Sequence, residues 1–460
     1  MQNGRHGSVV KQNAEKGSEE TSDMNIILLS GGSGQRLWPL SNNVRSKQFI
    51  KVLQSEDGGL ESMVQRVYRQ ITTVDADAQV TIATGKKQVS MILNQLENKV
   101  NVCVEPDRRD TFPAICLAAV YLHDEKGVRP EEPVVVCPVD PYVEDSYFEA
   151  LKELSDLAAQ GGANMSLLGV EPTYPSEKYG YIIPESKEEV SRVSTFKEKP
   201  DVETAKGYLA QGALWNGGVF AFKLSYLLDK AHELLDFQDY RDLYEHYGEQ
   251  KKISFDYAVV EQEKSIQVLR YKGSWKDLGT WNTFTEAMGS NAVGNVTLND
   301  TCEDTHVVNE LNIPILCMGC KSMVIAASGD GILVSDKEQS AKIKPYVDKL
   351  AGQAMYAEKS WGSFTVLDVQ EDSMTIKVEL MPGHRLHYHS HEHRDEVWTV
   401  MSGMGSVIID GMQRMVRPGD VVTMPAGCKH TLIAETKLNV IEVQLGKDIS
   451  VDDKRKYDLE

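Results

Sequence analysis

The sequence predicts a chain in three parts: an α/β layered domain, a small β-rich module and an all-β C-terminal domain. From Met24 to about residue 288, apolar strand-like runs alternate with helical stretches, which is typical of a mostly parallel, Rossmann-like sheet covered by helices. Residues 289–345 carry short β-rich runs, with no helical periodicity until Gln339–Leu350. From residue 346 to 460, short strands alternate with glycine- or proline-marked turns, which predicts a sandwich or barrel.

The bulk composition excludes several classes of function. The 460 residues are 41% hydrophobic and 25% charged, with a formal net charge of −19 and no basic block, so we expect no nucleic-acid partner. No apolar run reaches the length of a membrane span, and no signal peptide is expected. The seven scattered cysteines have mainly apolar neighbours, which predicts reduced thiols in a cytoplasmic protein. Residues 1–23 are polar and aperiodic, which predicts a disordered tail.

Individual elements follow from local periodicity. A buried strand is predicted at Asn25–Ser30, because it is a short apolar run. Further strands of the first domain are predicted at Val80–Ala83, Val134–Val136, Met165–Val170 and Val219–Phe222, and helices at Ser62–Gln70, Ala114–Leu122 and Tyr147–Ala159. Strands of the last domain are predicted at Phe364–Val369, Thr375–Leu380, Glu396–Val400, Gly405–Ile409, Val421–Met424 and Asn439–Val443.

A glycine-rich loop follows the first strand. Three glycines in four residues let backbone N–H groups approach a ligand closely, and two cations follow within reach: Gly31, Gly32, Gly34, Arg36 and Lys47. This combination predicts a polyphosphate site. The loop lacks the Gly-Lys-Ser/Thr of a P-loop and the third glycine of a dinucleotide fingerprint. A plain glycine turn is the alternative.

Two distant carboxylates could share one Mg²⁺. Asp140 follows an apolar strand-like run, where ligands of parallel sheets gather, although a strand-end aspartate is often a turn residue. Asp277 lies in an aromatic- and glycine-containing turn. Mg²⁺ is usually held by one or two carboxylates together with substrate phosphates.

The glycine-rich loop and the segments that follow it resemble the sequence motifs of a known family. GGSGQRLWPLS with a lysine about ten residues later resembles the signature of sugar-phosphate nucleotidyltransferases, and Lys47-Gln48-Phe49 resembles the mannose-1-phosphate guanylyltransferase branch, with Ser46 in place of the usual proline. The order of further strings, from Glu105 to Asp277, is that of the family. The resemblance implies a nucleotidyltransferase using GTP and mannose 1-phosphate, with Mg²⁺ on Asp140 and Asp277.

The resemblance also implies roles for single residues. Arg36 and the glycine-loop amides would hold the leaving phosphates, and Lys47 would stabilise charge at the reacting centre. The implied nucleotide-binding residues are Leu29, Gly31, Gly32, Gly34, Arg109 and Asp110, with Asp110 in place of the usual asparagine. The implied sugar-phosphate residues are Gly180, Glu198, Lys199 and Asn216. For residues 289–345 the family implies a short left-handed β-helical connector.

A histidine-rich segment marks a second site. His389 and His391, two apart on a predicted strand, would point to one face, and Glu396 and His430 would come from neighbouring strands. Two or three imidazoles with a carboxylate suit Zn²⁺, Fe²⁺ or Mn²⁺. A histidine-rich exposed turn is the alternative. A zinc site at the single pair Cys317-Met-Gly-Cys320 is also conceivable, with strand and turn residues as the plainer interpretation.

Gly383, His389, His391, Glu396 and Gly403 resemble the first motif of the cupins. Gly419, Pro425-Ala-Gly427 and His430 resemble the second, with Ala434 in place of the usual asparagine. Within the cupins, the histidine segment resembles a type II mannose-6-phosphate isomerase domain. Two positions depart from that pattern: His389 stands for glutamine and Val397 for histidine. The resemblance implies a cupin barrel that interconverts mannose 6-phosphate and fructose 6-phosphate, with Arg394 as a candidate for holding the 6-phosphate. A homo-oligomer is expected. The alternatives are a guanylyltransferase with a structural or regulatory cupin, and a non-catalytic sugar-nucleotide sensor.

Overall fold

The structure, a computed structural model, describes residues 24–32, 35–42, 44–350, 354–447, 449–450 and 453–459. The predicted tail at 1–23 and Gly34 lie outside the described residues. None of the helices in these stretches is long and apolar enough to cross a membrane.

The first part of the chain combines strands with α-helices, as predicted, but its main sheet is mixed rather than mostly parallel, because the strands Val190–Lys197 and Leu214–Lys223 run antiparallel to their neighbours. Its strands are β1 (Asn25–Ser30), β2 (Leu53–Gln54), β3 (Leu60–Glu61), β4 (Gln79–Gly85), β5 (Asn101–Glu105), β6 (Pro133–Pro138), β7 (Pro141–Val143), β8 (Met165–Val170), β9 (Gly180–Pro184), β10 (Val190–Lys197), β11 (Leu214–Lys223), β12 (Ile266–Tyr271) and β13 (Trp275–Asp277). Its helices are α1 (Met63–Val74), α2 (Val89–Leu96), α3 (Thr111–Asp124), α4 (Asp145–Gln160), α5 (Val202–Ala210), α6 (Leu224–Leu234), α7 (Tyr240–Glu245) and α8 (Trp281–Thr285).

One mixed sheet organises this part, in the order β5-β4-β1-β6-β11-β8-β12-β10-β9. β5, β4, β1 and β6 are parallel, whereas β11 runs antiparallel to both β6 and β8. Alternate residues of β1 face opposite sides: Ile26 and Leu28 pack in the core cluster that contains residues of α1, α2 and α4, and Ile27 packs in the cluster that contains residues of α3 and α6. The sheet therefore has helices on both faces, and the carboxyl ends of its parallel strands form one edge.

Two local signals explain where helices begin. Ser62 forms a capping box with Gln65, so α1 begins one residue after the start of the predicted helix. Asp110 caps α3 by accepting a hydrogen bond from the N–H of Thr111 at 2.9 Å, and it does so with a φ of 70°. This cap places Asp110 at the end of the sheet where ligands gather.

The middle of the chain consists of short strands that pair mainly in parallel. They are β14 (Ala292–Gly294), β15 (Val296–Leu298), β16 (His306–Asn309), β17 (Ile315–Cys317), β18 (Met323–Ser328) and β19 (Gly331–Asp336). β14, β16 and β18 are parallel neighbours, β15 pairs in parallel with β17, and β18 and β19 form an antiparallel hairpin. Parallel pairing suits a β-helical connector, and its left-handed coil stays a prediction. The predicted helical stretch becomes a 3₁₀ turn followed by α9 (Lys344–Leu350).

The last part is all-β and contains the strands predicted for it. They are β20 (Tyr356–Lys359), β21 (Gly362–Val369), β22 (Ser373–Leu380), β23 (His389–Ser390), β24 (Asp395–Ser402), β25 (Gly405–Ile409), β26 (Met412–Val416), β27 (Val421–Met424), β28 (His430–Ala434), β29 (Leu438–Leu445) and β30 (Arg455–Lys456). Two sheets, β20-β21-β22-β29-β24-β27 and β26-β25-β28-β23-β30, enclose a core that includes Leu380, Trp398, Val407 and Leu432.

Candidate active site and metal centre

Two short strands bring the predicted Mg²⁺ aspartates together. Asp140 directly precedes β7 and Asp277 ends β13, and these strands pair with Asp277 opposite Pro141. The Nζ atom of Lys47 lies 2.8 Å from Oδ2 of Asp140 and 3.4 Å from Oδ1 of Asp277. Both carboxylates therefore face one point in space, and a cationic side chain reaches it. A pair of carboxylate oxygens beside room for substrate phosphates suits Mg²⁺, so these residues fit the ion.

The surroundings of Lys47 keep it charged. Burial opposes the charged form, but the attraction of Asp140 and Asp277 outweighs it and raises the pKa of Lys47. The ammonium group also donates to the carbonyl oxygen of Leu278 at 3.4 Å. Lys47 is therefore a fixed positive charge at the point where the two carboxylates meet.

A cleft of about 220 Å³ opens beside these aspartates, and it contains three of the predicted sugar-binding residues, Gly180, Glu198 and Asn216. β9 and β11 pair with Asn216 opposite Gly180, which places both on the same wall. A Cβ atom at Gly180 would lie only 2.6 Å from Oε2 of Glu198. Glycine at this position therefore keeps open the space that the Glu198 carboxylate faces.

The cleft also contains Asp256, which was not among the site residues predicted from the sequence. Asn216 Nδ2 donates to Oδ1 of Asp256 at 2.7 Å. Burial and the nearby Glu198 raise the pKa of Asp256 to about 7, although the hydrogen bond from Asn216 opposes the shift. Lys199, predicted to bind the sugar phosphate, donates to Oε1 of Glu198 at 2.6 Å from a half-exposed position at the side of the cleft.

A second, larger cleft of about 770 Å³ lies at the end of β1. Leu29, Gly31 and Asp110, three of the predicted nucleotide-binding residues, are among its walls. It adjoins the first cleft, because Leu29 pairs with Pro138 of β6, and Pro138 is part of the first cleft's wall. The two clefts thus occupy neighbouring strand ends of one sheet, as ligand sites in such sheets do.

The cations around the second cleft differ in part from the predicted ones. Its walls carry Lys86, Lys87, Arg108 and Lys252. The sequence reasoning missed the lysines, although Lys86 and Lys87 directly follow β4 at the same sheet edge. Arg109, which was predicted, instead pairs with Asp107 at 2.8 Å and donates to the carbonyl oxygen of Gly248.

The remaining predicted phosphate residues lie on the loop after β1. Arg36 is exposed on the 3₁₀ turn Gln35–Leu37 and forms no ion pair with the described residues. Gly32 is exposed, and its carbonyl oxygen accepts a hydrogen bond from Ser46 Oγ at 2.7 Å. Arg36 is thus a charge available to an anionic ligand.

The four predicted cupin ligands converge. One ligand atom from each of His389, His391, Glu396 and His430 lies within 4.8 Å of the others, and all four residues are buried. β23 and β28 pair with His389 opposite His430, which brings the two histidine strands together. Oε1 of Glu396 lies 3.0 Å from Nε2 of His391, and its Oε2 lies 3.2 Å from Nε2 of His430.

The second nitrogen of each imidazole is fixed by the backbone. Nδ1 of His389, His391 and His430 lies at hydrogen-bond distance from the carbonyl oxygens of His387, Asp453 and Cys428. This pairing makes Nδ1 the donor and turns a lone pair on Nε2 towards the cluster, as second-sphere contacts of metal-bound histidines do. Nε2 of His430 is buried and makes no hydrogen bond with the described residues, although Oε2 of Glu396 lies 3.2 Å from it. These features fit a divalent metal ion.

Burial and nearby positive charges favour the neutral imidazole of His389. Burial, together with Lys454 and His430, lowers the pKa of His389 to about 2. Arg394, the candidate for the 6-phosphate, is buried and donates to Oε1 of Glu396 at 3.1 Å and to the carbonyl oxygen of Ser450 at 2.8 Å. In this structure Arg394 therefore orients the carboxylate, and its role towards a phosphate stays a prediction.

A buried carboxyl group near the cluster was missed by the sequence reasoning. Glu442 lies on β29 opposite Trp398 of β24, and burial and the charge of Glu396 raise its pKa. Glu442 could have been predicted to be buried from the alternation of side chains along β29, because Val440, Glu442 and Gln444 all face inward.

Models of known protein families match both of these parts of the chain. A family model described as nucleotidyl transferase matches residues 25–292. The chain belongs to the nucleotidyl transferase family. The model of the mannose-6-phosphate isomerase C-terminal family matches residues 348–458. The nucleotidyltransferase fold with a cupin-type C-terminal domain is thereby confirmed.

Relatives of this nucleotidyl transferase match most of its length. The xanthan biosynthesis protein XanB of Xanthomonas campestris pv. campestris (strain B100) is 30% identical, over 94% of this chain and 97% of its own. The mannose-1-phosphate guanylyltransferase of Escherichia coli (strain K12) is 29% identical, over 93% of this chain and 95% of its own. A solved structure, titled mannose-1-phosphate geranyltransferase and from Thermus thermophilus, matches with a TM-score of 0.58 at 27% identity, covering 71% of this chain and 99% of that one.

Proposed function

We propose that this chain transfers a guanylyl group from GTP to mannose 1-phosphate, which yields GDP-mannose and pyrophosphate. The observation that carries the proposal is Lys47, held between Asp140 and Asp277, which line the smaller cleft. A non-catalytic sugar-nucleotide sensor or a purely structural protein would not need a lysine ammonium group between two carboxylates. Guanylyltransferases among the full-length relatives support the choice of nucleotide and sugar.

In the proposed reaction, an oxygen of the sugar 1-phosphate attacks the α-phosphorus of GTP. A new P–O bond forms, the bond between the α-phosphorus and the bridging oxygen breaks, and that oxygen leaves with pyrophosphate. Such transfers depend on positioning and charge neutralisation more than on covalent chemistry by the protein. Mg²⁺ bound by Asp140 and Asp277 would neutralise phosphate charge.

The chain's own residues take the remaining roles. Lys47 would stabilise charge that develops at the reacting phosphorus, and Arg36 with the amides of the glycine loop would hold the leaving phosphates. The nucleotide would occupy the larger cleft, where Lys86, Lys87 and Arg108 add positive charge. The sugar would occupy the smaller cleft, with its hydroxyl groups towards Glu198 and its phosphate near Lys199.

Aldose–ketose isomerisation of mannose 6-phosphate and fructose 6-phosphate is the second proposed activity. Convergence of His389, His391, Glu396 and His430 favours it over a structural cupin. A divalent metal there would polarise the sugar's C1 and C2 oxygens. The chain's residues would hold the sugar and move one proton between C1 and C2. Zn²⁺ is the first candidate, and action in the cytoplasm and as a homo-oligomer stay predictions.

A panel of nucleoside triphosphates against sugar 1-phosphates tests the transfer, with pyrophosphate release as the readout. GTP with mannose 1-phosphate should give the highest kcat/KM. A higher value for another pair would refute the proposed specificity, and no release from any pair would refute the activity. Fructose 6-phosphate, assayed separately for mannose 6-phosphate formation, distinguishes an isomerase from a structural cupin.

A further inference from the structure

The segment that leads into Lys47 is held from outside the α/β part of the chain. Ser328 Oγ, at the end of β18, donates to the carbonyl oxygen of Pro39 at 2.7 Å. Asn42 Nδ2 donates to Oδ2 of Asp330, in the turn between β18 and β19, at 2.6 Å. Arg45 reaches Glu310, which directly follows β16. The connector thus touches this segment at three separate points.

Arg45 makes the strongest of these contacts. Its Nη1 and Nη2 atoms donate to Oε2 and Oε1 of Glu310 at 2.8 and 2.9 Å, which is a bidentate pair. Its guanidinium carbon lies 5.7 Å from the ring centroid of Tyr356, on β20 of the last part of the chain. The Arg45 side chain is about 10% exposed. A buried guanidinium with two parallel hydrogen bonds has little freedom, so it fixes the backbone that carries it.

Asn42 and Asp330 extend the same junction. Oδ1 of Asn42 accepts from the N–H groups of Val44 and Arg45 at 2.8 and 2.7 Å, which closes the turn before Lys47. Oδ1 of Asp330 accepts from the N–H of Met355 at 2.7 Å, while its Oδ2 holds Asn42. One aspartate of the connector therefore joins the turn to the chain that enters the cupin.

A short chain of contacts passes from this turn to the reacting centre. Ser46, next to Arg45, donates to the carbonyl oxygen of Gly32 and accepts from Nε2 of Gln88 at 2.5 Å. The next residue is Lys47, which contacts both metal aspartates. A displacement of the turn would therefore move the ammonium group relative to Asp140 and Asp277.

We propose that Arg45 and Asn42 are positioning residues for guanylyl transfer, and that Glu310 and Asp330 make the connector part of the transferase site. The inference rests on the proposed function. Since Lys47 would act on charge at the reacting phosphorus, its misplacement should lower kcat more than it raises KM. Misplacement of a catalytic group by about 1 Å can cost roughly 100-fold.

The test uses Glu310→Gln and Asp330→Asn in the full chain, since each keeps the side chain's size and removes its charge. We expect kcat for pyrophosphate release to fall about 10- to 100-fold, with KM for mannose 1-phosphate within about twofold of wild type. Glu310→Asp, which keeps the charge, should recover part of the loss. Asn94→Ala is the matched control, because Asn94 links α2 to the carbonyl oxygen of Lys359 on β20 and no side-chain hydrogen bond joins it to the described residues of the segment 39–47. It should leave kcat unchanged.

Two outcomes would overturn the inference: kcat near the wild-type value in both variants, or an equal loss in Asn94→Ala. Absence of activity in the wild-type chain would instead refute the proposed function. Amide hydrogen exchange across residues 41–47 decides the positioning role in that case. Faster exchange in Glu310→Gln than in Asn94→Ala supports it, and equal exchange refutes it.

Discussion

Replacement of Lys47 by methionine separates the two effects that its charge should have. The substitution keeps most of the side chain's length and removes the ammonium group that lies 2.8 Å from Asp140 and 3.4 Å from Asp277. Without it, the developing charge at the reacting phosphorus loses its cation, so kcat should fall about 10²- to 10³-fold. The two carboxylates also lose their neutralising partner, so they should bind Mg²⁺ more tightly.

The size of the second effect follows from exposure. The carboxylates are 37% and 41% exposed, so solvent screens both pairs and each is worth about 0.2–1 kcal/mol. A total near 1 kcal/mol corresponds to a roughly fivefold lower Kd for Mg²⁺. Pyrophosphate release as a function of Mg²⁺ concentration gives kcat, and calorimetric titration gives Kd. Lys51→Met, an exposed lysine four residues on, is the control. Wild-type kcat, or weaker Mg²⁺ binding, in Lys47→Met would refute the assignment.

Three more substitutions probe the smaller cleft, proposed to bind the sugar, and the proposed cupin metal site. Gly180→Ala puts a methyl group into the cleft, so KM for the sugar phosphate should rise about tenfold or more, whereas Gly207→Ala, with nothing within 4 Å, should leave kinetics unchanged. The pKa of Asp256 is raised to about 7 from 3.8, so the unfolded chain loses a proton that the folded chain keeps, and stability falls as pH rises through that window. Asp256→Asn should flatten this slope of Tm against pH, and an unchanged slope would contradict the shift. His391→Ala should remove the cupin metal, as measured by mass spectrometry, while the exposed His393→Ala keeps it.

Much of the fold could be predicted from the hydrophobic pattern within single segments of the sequence. The apolar run at Asn25–Ser30 and the alternation at Thr375–Leu380 each produce a strand at the expected place. β7 and β13 were beyond such reasoning, because strands of three residues contain no measurable period. Yet it is their pairing that brings Asp140 to Asp277. The sequence suggests that these two aspartates lie close together, but only the structure shows that the antiparallel pairing of β7 and β13 brings them there.

Among the site residues, those on paired strands could be predicted from the sequence better than those with long charged side chains. Backbone pairing places Gly180 opposite Asn216 and His389 opposite His430, while the roles of these residues stay predictions. Long charged side chains could not be placed from sequence, because adjacent arginines can turn to opposite sides. Thus Arg108 is part of the wall of the larger cleft, whereas Arg109 pairs with Asp107. The raised pKa of Asp256 arises from burial beside Glu198, a contact that no spacing in the chain reveals.

Two reactions assayed on three preparations test the central claim, that the chain has two independent active sites. The preparations are the wild-type chain, Asp140→Asn and His391→Ala. Asp140→Asn should lower pyrophosphate release from GTP and mannose 1-phosphate by about 100-fold or more and leave interconversion of mannose 6-phosphate and fructose 6-phosphate intact. His391→Ala should do the reverse. Transfer that survives Asp140→Asn, or one variant that loses both activities while remaining folded, would contradict the account.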